Sequence, residues 1–251
     1  MSSNATSYCI TLEDVKKAAT RIEGIAHRTP VLTSSSINEI AGRHLFFKVE
    51  ALQKTGSFKF RGALNAVKCE LERRGDSVQE LPVVTHSSGN HAQALALAAK
   101  LASKDSKATT VSATIVMPEN CPQVKRLAVQ NFGAQIVLVE NTNFARESEA
   151  ERIQQKTGAA FIHPSEDPRV IAGQGTACLE FLEQMKTEYN NTKLDAVIIP
   201  VGGGGLAAGN ITTLRGILGN HVKVRKTLHC ILYAVLVLSC VVDLYFLNYN
   251  I

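Results

Sequence analysis

The 251-residue chain has no tryptophan, only 6% aromatic residues and no internal repeat or low-complexity stretch. With 45% hydrophobic and 20% charged residues it has enough apolar material for one large domain or two smaller ones, so disordered and collagen-like chains are excluded. Its six cysteines, Cys9, Cys69, Cys121, Cys178, Cys230 and Cys240, form no CxxC pair and no Cys/His cluster at zinc-ligand spacing. That excludes a disulfide mini-scaffold and a zinc module, and leaves free thiols in a reducing compartment. No block of one charge sign occurs either. The 27 Lys and Arg alternate with 22 Asp and Glu for a net charge of +5, a pattern that argues against a nucleic-acid partner. The first thirty residues lack the apolar stretch of a secretory signal, so a cytoplasmic location is expected.

What is present reads as an α/β chain. Thr11 ahead of Asp14, followed by Val15, Ala18, Ala19 and Ile22, predicts a capped helix. Strands are expected at Leu45–Glu50, Val83–Thr85, Thr114–Met117, Gln135–Val139 and Ala196–Val201. Helices are expected at Ala92–Ala102, Gln123–Phe132, Ala145–Thr157 and Gly175–Met185, with an exposed loop over Ala102–Ser112. Strands alternating with helices imply parallel pairing in open twisted sheets with helices on both faces.

Three segments after strands hold small or polar residues, where such sheets leave their ligand crevice: Gly56–Gly62, Ser87–His91 and Gly202–Gly205. Four consecutive glycines let backbone N–H groups converge on an anion of phosphate size. A flexible turn is the alternative reading of that run. Lys59 lies between Phe58 and Phe60 just after a Gly-Ser turn, an apolar setting that favours the neutral amine and reaction with a carbonyl. A snorkelling surface lysine is the alternative there. An aldehyde that carries a phosphate satisfies both features with one molecule, pyridoxal phosphate.

The strings Gln53–Ala63, Thr85–His91, Ala172–Thr176 and Pro200–Gly205, in that order, resemble the tryptophan-synthase-like (fold type II) pyridoxal-phosphate enzymes. Within these, the chain is similar to the family of serine racemases and threonine/serine dehydratases. Cysteine synthases carry Val-Lys-Asp-Arg where this chain has Phe-Lys-Phe-Arg.

The resemblance implies that Lys59 is the Schiff-base lysine and Phe58 its aromatic neighbour. Asn90 would bond the cofactor's phenolic oxygen, and Gly202, Gly203, Gly204, Gly205 and Leu206 would cradle its phosphate. Ser88 would face Lys59 across the cofactor, so that the two exchange the substrate α-proton on opposite faces. Racemisation of serine and dehydration of serine or threonine would then share one planar carbanion. Ser87, Ser88, Gly89, Asn90 and His91 would hold the substrate carboxylate, with no proton-transfer role for His86 or His91. Some relatives bind ATP between subunits, and the matching positions are Ser34, Ser35, Ser36, Lys54, Thr55 and Gln93; here Ser36 replaces an apolar residue and Phe132 a tyrosine. A plain polar turn before a helix at Ile37 is the other reading of Thr33–Ser36. The resemblance also implies a homodimer and, in full-length relatives, Mg2+.

By the same resemblance, residues 1–80 begin a large domain, 81–160 form a small domain, and 161–226 continue a large domain that is incomplete. The family's divalent-cation ligands would lie beyond that point; Asp195 matches one outer carboxylate, and no metal site is expected in this chain. Residues 227–251 form an apolar tail foreign to the family, and residues 228–247 are twenty long. Three readings are open for it. One is a membrane span, since about 20 apolar residues cross about 30 Å and Lys223, Arg225 and Lys226 flank it, against which stands Asp243. Another is out-of-frame or unspliced sequence after a truncated gene, and the third is a native buried strand pair. An inactive truncated fragment, or a membrane-tethered variant, that only associates with full-length subunits is the rival to the enzyme reading.

Overall fold

The computed structural model describes residues 9–75, 78–106, 109–191, 193–227 and 234–239. Helix α1 (Leu12–Ile22) opens with a capping box between Thr11 and Asp14 and buries Val15, Ala18 and Ile22, as the spacing requires. After β1 (Val31–Leu32), α2 (Ser35–Ala41) and β2 (His44–Val49) come two short 3₁₀ turns, Glu50–Leu52 and Lys54–Gly56. Helix α3 (Lys59–Arg74) follows.

A four-stranded sheet then forms from β3 (Glu80–His86), β4 (Thr110–Pro118), β5 (Gln135–Val139) and β6 (Ala160–Phe161), in the order β5-β4-β3-β6 and parallel throughout. Between its strands run α4 (Asn90–Asp105), α5 (Gln123–Asn131) and α6 (Asn143–Thr157). Helix α4 buries Ala92, Ala94, Ala96, Ala98, Ala99 and Ala102. These small side chains let it lie close against α3 and β4, around a core that includes Leu64, Leu81, Val83, Leu95, Ile115 and Met117.

The second sheet has the order β1-β2-β9-β7-β8, with β7 (Ala196–Pro200), β8 (Lys223–Thr227) and β9 (Ala234–Ser239). Helices α7 (Pro168–Thr187) and α8 (Gly205–Leu218) lie between β6 and β8 in the chain. Only the β7–β8 pair is parallel here; β1–β2, β2–β9 and β7–β9 are antiparallel. The expectation of parallel pairing therefore holds for the first sheet and for one pair of the second, because β9 enters from the tail and runs against both of its neighbours.

Three differences from the sequence reading are the largest. The loop at Ala102–Ser112 shrinks, since α4 continues to Asp105 and β4 starts at Thr110. Helix α7 starts seven residues before Gly175, at Pro168, where Asp167 caps it and proline suits the first turn. Of the apolar tail, residues 234–239 form one strand between β2 and β7; the rest lies outside the described residues. Among the described residues no helix is long and apolar enough to cross a membrane.

Candidate active site

Lys59 is delivered by a strained turn. Thr55 and Gly56 both have positive φ, 62° and 71°, a conformation that is unusual for a β-branched residue and that turns the chain toward Ser57. Helix α3 then begins at Lys59 without a side-chain cap. The Lys59 Nζ donates to the carbonyl oxygen of Pro164 at 2.7 Å and lies 5.4 Å from the Phe58 ring centre. Burial disfavours the ammonium and pushes its pKa down to about 8. No carboxylate forms an ion pair with Lys59 among the described residues.

The glycine run follows β7 and leads into α8. Gly202 and Gly203 are exposed, while Gly205 and Leu206 are buried. Gly204 takes φ 87° as the helix N-cap and offers no side chain to the first N–H groups of α8, which leaves them open to an anion. Ser165 packs beneath the run: a Cβ on Gly203 would stand 2.5 Å from its Oγ, and one on Gly205 would stand 2.8 Å from its carbonyl oxygen. The dipeptide Pro164–Ser165 thus links the two features, with the carbonyl of Pro164 on the lysine amine and Ser165 against the glycines. His163 fixes this turn, its Nδ1 accepting the backbone N–H groups of Ser165 at 3.2 Å and Glu166 at 2.9 Å. Nothing in the sequence marked Pro164 or Ser165, because their role comes from position in space rather than from side-chain type.

The loop after β3 is the third wall. The N–H of Ser87 donates to the Val116 carbonyl at 3.1 Å, and the N–H of Gly89 donates to Ser87 Oγ at 3.3 Å. Ser88 is half-buried, with its carbonyl accepting from the Cys121 thiol at 3.6 Å. Asn90 begins α4, with Gly89 as N-cap. The His91 ring is buried beneath the loop, with Nε2 3.3 Å from the Ile162 carbonyl. Burial first, and then the nearby Lys59 charge, push its pKa down to about 3, so the ring stays neutral.

The positions matched to ATP are divided. Ser34 caps α2, whose first turn holds Ser35 and Ser36, and α2 packs on β2. Lys54 and Thr55 belong to the 3₁₀ turn packed on α4, and Gln93 lies in the first turn of α4. Among the described residues no group of three or more His, Cys, Asp and Glu could hold a metal ion. Cys9, Cys69, Cys121 and Cys178 are free thiols.

The motif Ala172–Thr176 also acquires a physical role. Gly173 lies so near Gly62 that a Cβ on it would stand 2.6 Å from the Gly62 Cα, and a Cβ on Gly209 would stand 2.6 Å from the Gly175 nitrogen. The glycines therefore let α7 approach α3 on one side and α8 on the other, which brings the lysine and the glycine run to one crevice. An amine held near pKa 8, beside an open helix terminus that side chains would block, fits an aldehyde bearing a phosphate.

Comparison with known proteins agrees. The chain is 49% identical over 210 residues to serine racemase from Rattus norvegicus, covering 83% of this chain and 58% of that protein. It is 43% identical over 215 residues to L-threonine ammonia-lyase from Thermotoga maritima, covering 86% of this chain and 49% of that protein. The crystal structure of serine racemase from Dictyostelium discoideum superposes with a TM-score of 0.76 at 45% identity, over 87% of this chain and 65% of that one. The chain thus spans less than two thirds of the length of these relatives. The family described as pyridoxal-phosphate dependent enzyme matches residues 22–227. With that match over most of its length, and with the lysine and glycine run side by side, the chain belongs to the pyridoxal-phosphate dependent enzymes.

Proposed function

We propose that this chain carries the lysine and phosphate-binding parts of a racemase and ammonia-lyase acting on serine and threonine. The observation that supports this best is the Pro164–Ser165 bridge, which sets the Lys59 amine and the glycine run on the two sides of one dipeptide. The relatives of similar sequence are a serine racemase and a threonine ammonia-lyase, which favours these substrates. When bound, pyridoxal phosphate withdraws electron density from the α-carbon of an amino acid and so makes its α-proton removable.

The chain's own residues do the rest. The N–H groups around Gly202, Gly203, Gly204, Gly205 and Leu206 hold the phosphate, Phe58 borders the ring and Asn90 bonds its phenolic oxygen. The loop Ser87–His91 holds the substrate carboxylate. Lys59 Nζ takes or returns the α-proton on one face, and its pKa of about 8 leaves part of it neutral near physiological pH. The Pro164 carbonyl accepts one amine hydrogen and so aims the nitrogen. The Ser88 hydroxyl serves the opposite face. Residues 81–160 act as the small domain, residues 1–80 and 161–226 as the large one, and the working form is a cytoplasmic homodimer.

To test this, the chain is incubated with pyridoxal phosphate, reduced with borohydride and peptide-mapped. The tag is expected on Lys59, and Lys59→Ala should lose both the tag and the visible absorbance of the captured cofactor. A tag on another lysine in its place overturns the assignment.

A further inference from the structure

Behind the active-site lysine, on the far side of the same helical turn, lies a buried ionic cluster. Two residues of α-helix turn through about 200°, so Arg61 points away from Lys59. Its guanidinium is 1% exposed and makes paired bonds to two carboxylates. Nε and Nη2 donate to Glu50 at 2.8 Å each, and Nη1 and Nη2 donate to Glu180 at 3.1 Å each. Glu50 also accepts from the Thr29 hydroxyl at 2.7 Å, and Glu180 from the Thr29 N–H at 2.9 Å and from Lys48. Two cations and two carboxylates cancel, so the cluster imposes no net charge on the amine. Meanwhile the start of α3 is held locally by backbone bonds alone, from the Phe60 and Arg61 N–H groups to the Ser57 and Phe58 carbonyls: it lacks a side-chain cap, follows the strained Thr55, and the buried Ser57 Oγ has no partner among the described residues.

We propose that Arg61 is the positioning residue for Lys59: its two-carboxylate fork clamps the first turn of α3 to Glu50 and α7, and thereby keeps the lysine amine in the crevice against Pro164. Lysine cannot replace it, because an ammonium is a point charge without the planar fork that binds two carboxylates at once. The proposal rests on the reading of Lys59 as the reactive amine. The titratable groups on elements packed around this turn are His91 on α4, His163 and Glu166 in the segment that carries Pro164, Lys54 in the preceding 3₁₀ turn, and Glu180 on α7. Arg21 of α1 pairs with Glu72 at the other end of α3.

The test reads the amine without the cofactor. The full chain is labelled with acetic anhydride across pH 6 to 11, and the labelling of Lys59 is compared by peptide mapping with that of the exposed Lys17. The wild-type midpoint is expected near 8. Arg61→Lys keeps the charge and loses the fork, so the amine swings into water; its midpoint should rise by about two units, and labelling at pH 8 should fall roughly fiftyfold. Gln184→Leu, which removes a neutral partner of Lys48 and Thr29 with no bond to α3, should lower the melting temperature and leave the midpoint in place. If Arg61→Lys does not fold, Glu50→Asp shortens the same clamp at constant charge and should raise the midpoint likewise. An unchanged midpoint in the clamp variant, or an equal shift in Gln184→Leu, overturns the proposal. A wild-type chain that shows the expected midpoints but captures no pyridoxal phosphate supports the positioning role and refutes only the cofactor reading.

Discussion

The layer beneath the four-stranded sheet and the layer behind β2 are packed on different physical terms. Under β3 and β4 the buried side chains are mostly apolar, with Leu81, Val83, Leu95, Ile115 and Met117 filling the space that the alanines of α4 leave. Between β2 and α7 an apolar cluster of Phe46, Phe181 and Met185 is joined by a polar one, in which the buried Lys48, Glu50, Arg61 and Gln184 and the half-buried Glu180 are linked by hydrogen bonds. Apolar packing is non-directional, so the first layer fixes proximity and tolerates small adjustments. The ionic layer is directional and strongly desolvated, so it adds little net stability yet admits few alternative arrangements. The lysine that needs an exact aim stands on the helix that the second layer holds.

Removing one partner from the ionic layer should have the largest effect. Glu50→Ala leaves a buried guanidinium short of a carboxylate and is expected to cost about 3–5 kcal/mol, read by urea unfolding. A truncation in the apolar layer, Leu95→Ala, is expected to cost about 2–4 kcal/mol and to leave pyridoxal-phosphate capture at Lys59 intact in the folded protein. If Leu95→Ala abolishes capture while folded, the two layers do not divide the work as described.

The smallest effect is a pH dependence at the other end of α3. Glu70 accepts from Arg73, Arg74 and Arg169, and these bonds, Arg73 first, hold its pKa down at about 2. Between its ordinary 4.5 and about 2 the unfolded chain binds the proton and the folded chain does not. The stability that this carboxylate contributes is therefore complete above about pH 4.5 and disappears as pH falls toward 2. Glu70→Gln should flatten that part of the stability–pH curve, and an unchanged slope would remove Glu70 from the account.

Strands β3, β4 and β5 of the parallel sheet were legible because each is a short apolar run followed by a helix with its own periodicity, as at Val83–Thr85 before the alanines of α4; β6, two residues long, was not. Lys59 and the glycine run were legible for a different reason: an amine between two phenylalanines and four adjacent glycines are chemically unusual wherever they fold. Helix α3 escaped notice as an element because its buried face includes Arg61, Asn65 and Glu70, which break the apolar stripe. Pro164 and Ser165 escaped it because a carbonyl and a backbone contact carry no signature of residue type. The placement of β9 depends on which strands remain without neighbours, and that is a property of the whole sheet rather than of residues 234–239.

Where α3 crosses α7, Gly62 and Gly173 bring main chain against main chain, with no room for a Cβ. A contact between side chains can loosen by a change of rotamer, but peptide backbone has no such freedom. The crossing therefore behaves as a pivot: α3 and α7 cannot part or slide there, and the aim of the α3 start about that point is left to the Arg61 fork. It also couples the fates of two distant positions in inheritance, since neither glycine can acquire even a methyl group unless the helices first move apart, and moving them apart would draw the amine away from the glycine run.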